Sequence, residues 1–281
     1  MILDRRHRRS LKAALFQGFT AVSTALALVA LIAILASLLV EGVGGLNSAV
    51  FTQSTPAPGA EGGLANAIVG SVMLCVSAMA LAVLVGVLAG TWLAEYSADS
   101  WYARVVRFVN DVLLSAPSIL IGLFVYEVMV RPLGGFSGYA GALALALIAA
   151  PVVTRTTEDV LKLQPRSLRE SGVALGSPLW TTIRKVLWRA AGGGIVTGGL
   201  LAFARISGET APLLFTSLNN QFFSVDMGKP IANLPVVIFN FALSAYDDWR
   251  RLAWVGALLI AMAVLGINIL VRVLAREPRR S

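Results

Sequence analysis

The chain has 281 residues, 57% hydrophobic and only 14% charged, with a mean hydropathy of +0.78 and a formal net charge of +8. Soluble domains carry charge on roughly a quarter of their positions, so a soluble globule is set aside and an all-α protein crossing a membrane several times is predicted. The basic surplus gathers at the ends of apolar runs without interleaved aromatics, which excludes a nucleic-acid surface, and the single Cys75 excludes an intrachain disulfide.

In chain order, the basic head "RRHRRSLK" precedes an uncharged run over 13–40, 28 residues long. A cleaved secretory signal has an apolar core of about 7–15 residues, so this run reads as an uncleaved first transmembrane helix. The loop 41–65, rich in Gly, Ser, Pro and Ala, reads as a flexible extracytoplasmic connection. A second span is predicted at 66–91. A third, at 110–130, contains Pro117 and Glu127, the latter four residues before Arg131. A fourth covers 136–154, a fifth 191–212 and a sixth 252–272. Each is long enough, at about 1.5 Å per residue, to cross a hydrocarbon layer of about 30 Å. The uncharged segment 230–246 holds Pro230, Asn233, Pro235 and Asn240, and reads as an amphipathic or re-entrant piece on the outer side. With the N-terminus inside, eighteen of the 23 Lys and Arg residues fall on the cytoplasmic side and four outside. Both termini are then cytoplasmic. The organisation predicted is a head, first helix and outer loop over 1–65, a membrane domain over 66–272, and a basic tail over 273–281.

The fifth span carries the one conspicuous irregularity. Arg205 and Glu209 interrupt a run otherwise free of charge from Ala190 to Gln221. Each costs about 2.5–3.5 kcal/mol at the middle of a spanning helix, which makes both functional candidates. Four residues apart, they share a helix face and can pair, either locking helices together or meeting an anion. Arginine offers an oxyanion two parallel charge-assisted bonds. The glutamate is expected to accept the O–H of an oxyanion that still carries a proton and to repel one that has none to give. Gly208 and Pro212 loosen the helix around the glutamate. Gly194 and Gly198 form a small-xxx-small pair, as do Gly86 and Gly90, and allow a dimer seam or a tight bundle. Ser115 and Ser118 flank Pro117 and either donate to an anion or bond within their own helix. Arg155, at the inner end of the fourth span, is either an exit contact or a topology anchor.

The internal loop 155–190 is too polar to span and too patterned to be slack. Thr157 is expected to cap a short helix that Pro165 ends, and Ser167 to cap a second one with Glu170 three residues on. Gly172 and Gly176 leave one face bare, and Gly176-Ser177-Pro178 turns into a helix near Leu179. The loop is either a linker of surface helices or a docking element for a soluble partner. Within it, "RESGVALG" resembles the EAA loop of ABC-importer permeases: Glu170 and Gly176 match, and Ser171 and Gly172 stand for the two alanines. The Leu-Pro that follows in that pattern is absent at Trp188 and Arg189.

"SAPSILIGLFVY" (115–126), "PVVTRTTEDVLKL" (151–163), "ARISGETAPLLFT" (204–216) and "LPVVIFNFALSAYDDWRRLAW" (234–254) resemble the PstA permease family of phosphate-specific ABC importers, a likeness covering about 66–272. The resemblance implies a six-helix type I permease bundle (MetI-like) in the bacterial inner membrane. It implies a non-catalytic chain that binds no cofactor, with ATP held by two ATPase subunits (PstB-like) docked on Glu170 and Gly176. Arg166 and Arg169 would be salt-bridging partners there, or else solvated topology charges. A homologous second permease subunit (PstC-like) and a periplasmic or lipid-anchored phosphate-binding protein (PstS-like) complete the implied assembly. No G-x-x-x-x-G-K-[ST] occurs in the chain, so a Walker-type phosphate cradle is expected on another one. Three alternatives stay open: an importer for another oxyanion or small solute, a proton-coupled carrier using Glu209, and a non-transporting assembly subunit.

Overall fold

The computed structural model describes residues 2–97 and 100–274, with side chains from residue 12 to residue 273. The side chains of the basic head and residues 275–281 of the expected basic tail lie outside the described residues. The described chain is all helix and loop. It forms α1 (Ile2–Gly44), α2 (Ala65–Glu95), α3 (Trp101–Ser115), α4 (Ser118–Leu133), α5 (Gly138–Lys162), α6 (Arg166–Ala174), α7 (Leu179–Ile206), α8 (Leu234–Ala242) and α9 (Asp247–Leu274). Polar residues start several of them. Ser100, Ser137 and Asn233 accept the N–H groups of Ala103, Ala140 and Val236, satisfying donors that a helix start leaves open.

Among the described residues, five helices are long and apolar enough to cross a membrane, and a sixth crossing exists if α3 and α4 count as one broken span. The continuous third span expected over 110–130 is therefore corrected: the chain bends by 107° between α3 and α4. Pro117 is the cause. It has no N–H to continue the ladder, and it holds Ala116 in extended backbone, ψ 135°. The segment around 230–246 contains only α8, nine residues and about 13 Å long, too short to cross. Its apolar face is buried, and Phe241 stacks on Trp249 of α9 at 4.3 Å.

α5 is the centre of the bundle. Inside its apolar window 72% of residues are buried, against 22% in α2 and α7 and 17% in α9. Lipid gives helices no hydrophobic reason to associate, so close packing must do it, and small residues allow that. A Cβ at Gly86 would lie 2.6 Å from Val153, and one at Gly90 2.6 Å from the Thr154 carbonyl. On a neighbouring face of α5, a Cβ at Gly194 would lie 2.5 Å from Val160 and one at Gly198 2.1 Å from Thr156. Both small-xxx-small pairs are thus seams within this chain. Thr157, expected to cap a new helix, instead sits inside α5, fully buried where α2 crosses at Gly90. The helix runs on because Arg155–Asp159 and Glu158–Lys162 are i,i+4 pairs along it.

The loop 41–65, expected to be flexible, is packed. It contains a helical turn at Ala49–Thr52, and Asn66 binds it down, accepting the Thr55 N–H (3.0 Å) and donating to the Asn220 carbonyl (2.9 Å). Irregular backbone beside the hydrocarbon must find its hydrogen bonds within the protein, which favours such a plug over a slack tether.

The glycine seams generate a direct comparison. Gly90→Ala should cost about 1–3 kcal/mol by overpacking against backbone, whereas Gly192→Ala, whose Cβ would meet nothing within 4 Å, should cost nothing. Thermal melting in detergent checks this: a lower Tm for the first variant only is expected, and equal melting of both would contradict the seam.

Candidate functional site

The fifth span is broken where the charges lie. α7 ends at Ile206, residues 207–210 are not helical, and one turn resumes at Ala211–Leu214. Arg205 and Glu209 therefore do not share a helix face, and among the described residues they form no ion pair, contrary to the i,i+4 expectation. Gly208 and Pro212 explain the break. Gly208 disfavours the helix, and Pro212 has no N–H to return to the Gly208 carbonyl. The Glu209 N–H instead closes a tight turn on the Ile206 carbonyl (3.2 Å).

Depth follows from register. Gly194 lies against Val160, Gly198 against Thr156, and beyond the break Leu213 lies against Gly141. The chain thus climbs antiparallel along α5 through the break, which sets Arg205 level with Ala149 and Glu209 level with Leu145, in the middle of the 25-residue α5. Gly198, Ala202 and Ile206 turn inward and are buried, while Arg205 and Gly208 are exposed and Glu209 is half-buried. Arg205 thus faces outward, and the half-buried Glu209 sits within the break.

α4 flanks the break. A Cβ at Gly122 would lie 2.6 Å from Pro212 Cα, so the two backbones touch. Ser118 starts α4 one turn before Gly122. Ser115 does not join it. Its hydroxyl lies before the Pro117 bend and donates to the Val112 carbonyl at 3.0 Å.

At the inner mouth the charges are paired. Arg155, half-exposed, stands 3.3 Å from Asp159 and 4.0 Å from Asp111. Glu158 is buried and accepts from Arg107 Nε (2.7 Å) and Lys162 Nζ (2.5 Å). The Glu158–Lys162 spacing was present in the sequence as a signal, but Arg107 lies 51 positions away on α3 and carried none.

The cytoplasmic loop is shorter than 155–190, because α5 runs on to Lys162 and α7 begins at Leu179; what remains is an arm over 163–178 that carries α6. Pro165 opens α6 with no side-chain cap, so the expected Ser167–Glu170 capping box is absent. Gly176, at φ +67°, makes the turn before Leu179. Gly172 does not leave a bare face: its Cβ would lie 2.4 Å from Thr182, so the small residue seats α6 on α7. Arg169, expected to meet a partner's acid, is engaged within the chain, with Nη2 2.6 Å and Nε 2.8 Å from the carboxylate of Glu95. Those bonds raise the guanidinium above its ordinary pKa and keep it charged. Arg166, Glu170, Leu163, Val173 and Leu175 remain exposed on the arm. Glu95, the missed partner, ends an apolar run and looked like a boundary charge.

Residues 86–280 match the family described as binding-protein-dependent transport system inner membrane component. The chain is 56% identical over 250 residues to the phosphate transport system permease protein PstA of Yersinia pestis, covering 89% of this chain and 85% of that one. It is 51% identical over 265 residues to the protein of the same name from Haemophilus influenzae, covering 94% of each. Among solved structures, its fold is similar to a chain of the MetNI methionine ABC transporter in an inward-facing conformation, with TM-score 0.60, 18% identity and coverage of 75% of this chain and 95% of that one. Multiple spans, a permease fold and close relatives agree: the chain is a non-catalytic, multi-pass inner-membrane protein and belongs to the PstA family of phosphate transport system permease proteins.

Proposed function

We propose that this chain is one of two permease subunits through which an ATP-driven importer moves inorganic phosphate into the cell, and that Arg205 and Glu209 line the path. One observation carries the reading: an arginine and a glutamate without partners in the described chain stand at the mid-depth of the bundle, beside a helix break. Such groups facing hydrocarbon would each cost about 2.5–3.5 kcal/mol. A polar path removes that cost, and broken helices are tolerated where they line one. The exposed face that carries Arg205 suits a homologous second permease closing the other half of the pore.

The arm is read as the docking site for the ATPase. Arg166 and Glu170 offer charge of both signs, and Val173 and Leu175 offer an apolar anchor. Gly172 and Gly176 shape the arm rather than touch the partner. Arg155, already between two carboxylates, is weaker as an exit contact than its position alone suggested. An external binding protein would deliver phosphate at the outer face.

Arg205→Ala should reduce ATP-dependent phosphate uptake at least tenfold, about the worth of one charge-assisted bond, with the assembled complex present in normal amount; undiminished uptake would remove Arg205 from the path. Glu209→Gln should let sulfate compete with phosphate, and unchanged selectivity would contradict the carboxylate's role. Leu175→Asp should abolish co-purification of the ATPase from detergent, and retention of the partner would move the docking site elsewhere.

A further inference from the structure

Glu95 is the last residue of α2, and its side chain is only 3% exposed. Arg169 of α6 meets it with a two-pronged grip, Nε to Oε2 at 2.8 Å and Nη2 to Oε1 at 2.6 Å. The same guanidinium also caps the end of α5. Nη2 donates to the Leu161 carbonyl (2.8 Å) and Nη1 to the Gln164 carbonyl (2.9 Å). Four donations from one planar fork therefore join three elements: the end of α2, the end of α5 and the arm. α6 is also held by packing: Leu168 lies against a cluster that includes Leu161 of α5 and Ile183 and Leu187 of α7, and Gly172 seats on Thr182 at the head of α7.

An exposed loop would have its carbonyls hydrated and would need no such clamp. Burying a charge pair carries a desolvation cost that apolar contact avoids, so stability alone is a poor reason for it. What the fork adds is direction. A bidentate arginine fixes the orientation as well as the distance of what it binds, and here it fixes the arm against the ends of the two most closely packed helices.

We propose that Arg169 and Glu95 form a rigid strut, so that α6, α2 and α5 move as one body and a displacement of the arm reaches the membrane helices undiminished. Arg169 is on this view a positioning residue: it contacts neither phosphate nor ATP. The proposal rests on the reading of α6 as the arm that a motor subunit grips. It differs from a docking role for Arg169, because the side chain points into its own protein.

The test uses the complete complex in liposomes, comparing the natural chain with Glu95→Gln, Arg169→Lys and the exchanged pair Glu95→Arg/Arg169→Glu. The readout is phosphate imported per ATP hydrolysed, normalised to assembled complex. The single variants should lower that ratio about fivefold or more, the smallest step typical of coupling between sites, while ATP hydrolysis stays within about twofold. The exchanged pair should recover part of the loss. An unchanged ratio, or hydrolysis and uptake falling in equal proportion, would overturn the strut.

A second measurement needs no substrate. Spin labels at Leu84→Cys on α2 and Ser167→Cys on α6, both exposed, in a Cys75→Ser background should give one narrow distance distribution that Arg169→Lys and Glu95→Gln broaden. A distribution equally narrow in all three would overturn the proposal. A natural complex that hydrolyses ATP yet imports no phosphate would instead refute the substrate reading, and the label distances would then decide the strut alone.

Discussion

The approach of α2 and α7 to neighbouring faces of α5, through glycines whose Cβ positions would already be occupied, is the constraint on which the remaining geometry depends. Lipid offers no hydrophobic force to bring helices together, so contact must come from backbones lying close enough for dispersion to add up over a long line. Gly86 and Gly90 provide that line for α2, and Gly194 and Gly198 for α7. Once the α5–α7 register is set, the depth of everything after it is set too. The break after Ile206 arises from Gly208 and Pro212, but it falls at mid-depth because α7 is registered on α5.

Charge is distributed around this post according to what surrounds it. At the cytoplasmic ends, carboxylates that the packing buries are matched by cations: Glu95 by Arg169, and Glu158 by Arg107 and Lys162. Leaving either carboxylate unmatched would strand a buried charge, with a penalty of about 3–5 kcal/mol. Halfway up the bundle, among the described residues, Arg205 and Glu209 form no ion pair; the first is exposed and the second half-buried. Buried pairs hold shape; on the proposed reading, these two are left for what passes them.

Much of the fold was legible because hydrophobic length and flanking charge are local properties. The runs at 13–40, 66–91 and 252–272 lie inside α1, α2 and α9, and the segment 230–246, read as amphipathic or re-entrant, contains a helix of nine residues. The errors share a cause. "RTTEDVLK" is polar and reads as a separate short helix capped by Thr157, although its own i,i+4 pairs let α5 continue unbroken through it. Pro117 and Pro151 look alike in sequence, yet the first breaks its helix and the second is carried within α5. For the site, the residue types at 205 and 209 were conspicuous from the start, whereas their separation depended on where α7 stops. Arg169 had a partner 74 positions away, and Gly172 found its neighbour on another helix; neither contact leaves a periodic trace.

The central claim is that the broken segment lies within the bundle beside a path that opens to one side at a time. Gly208→Cys tests it most directly, since the position is exposed and a side chain there meets nothing within 4 Å. In the assembled complex, with Cys75→Ser as background, a small membrane-impermeant thiol reagent is applied from each side, with and without ATP trapped. The account predicts that reaction from a given side depends on the nucleotide state. Equal reaction from the outer side in both states would put the break in open water, and no reaction in either state would take it off the path; each result contradicts the account.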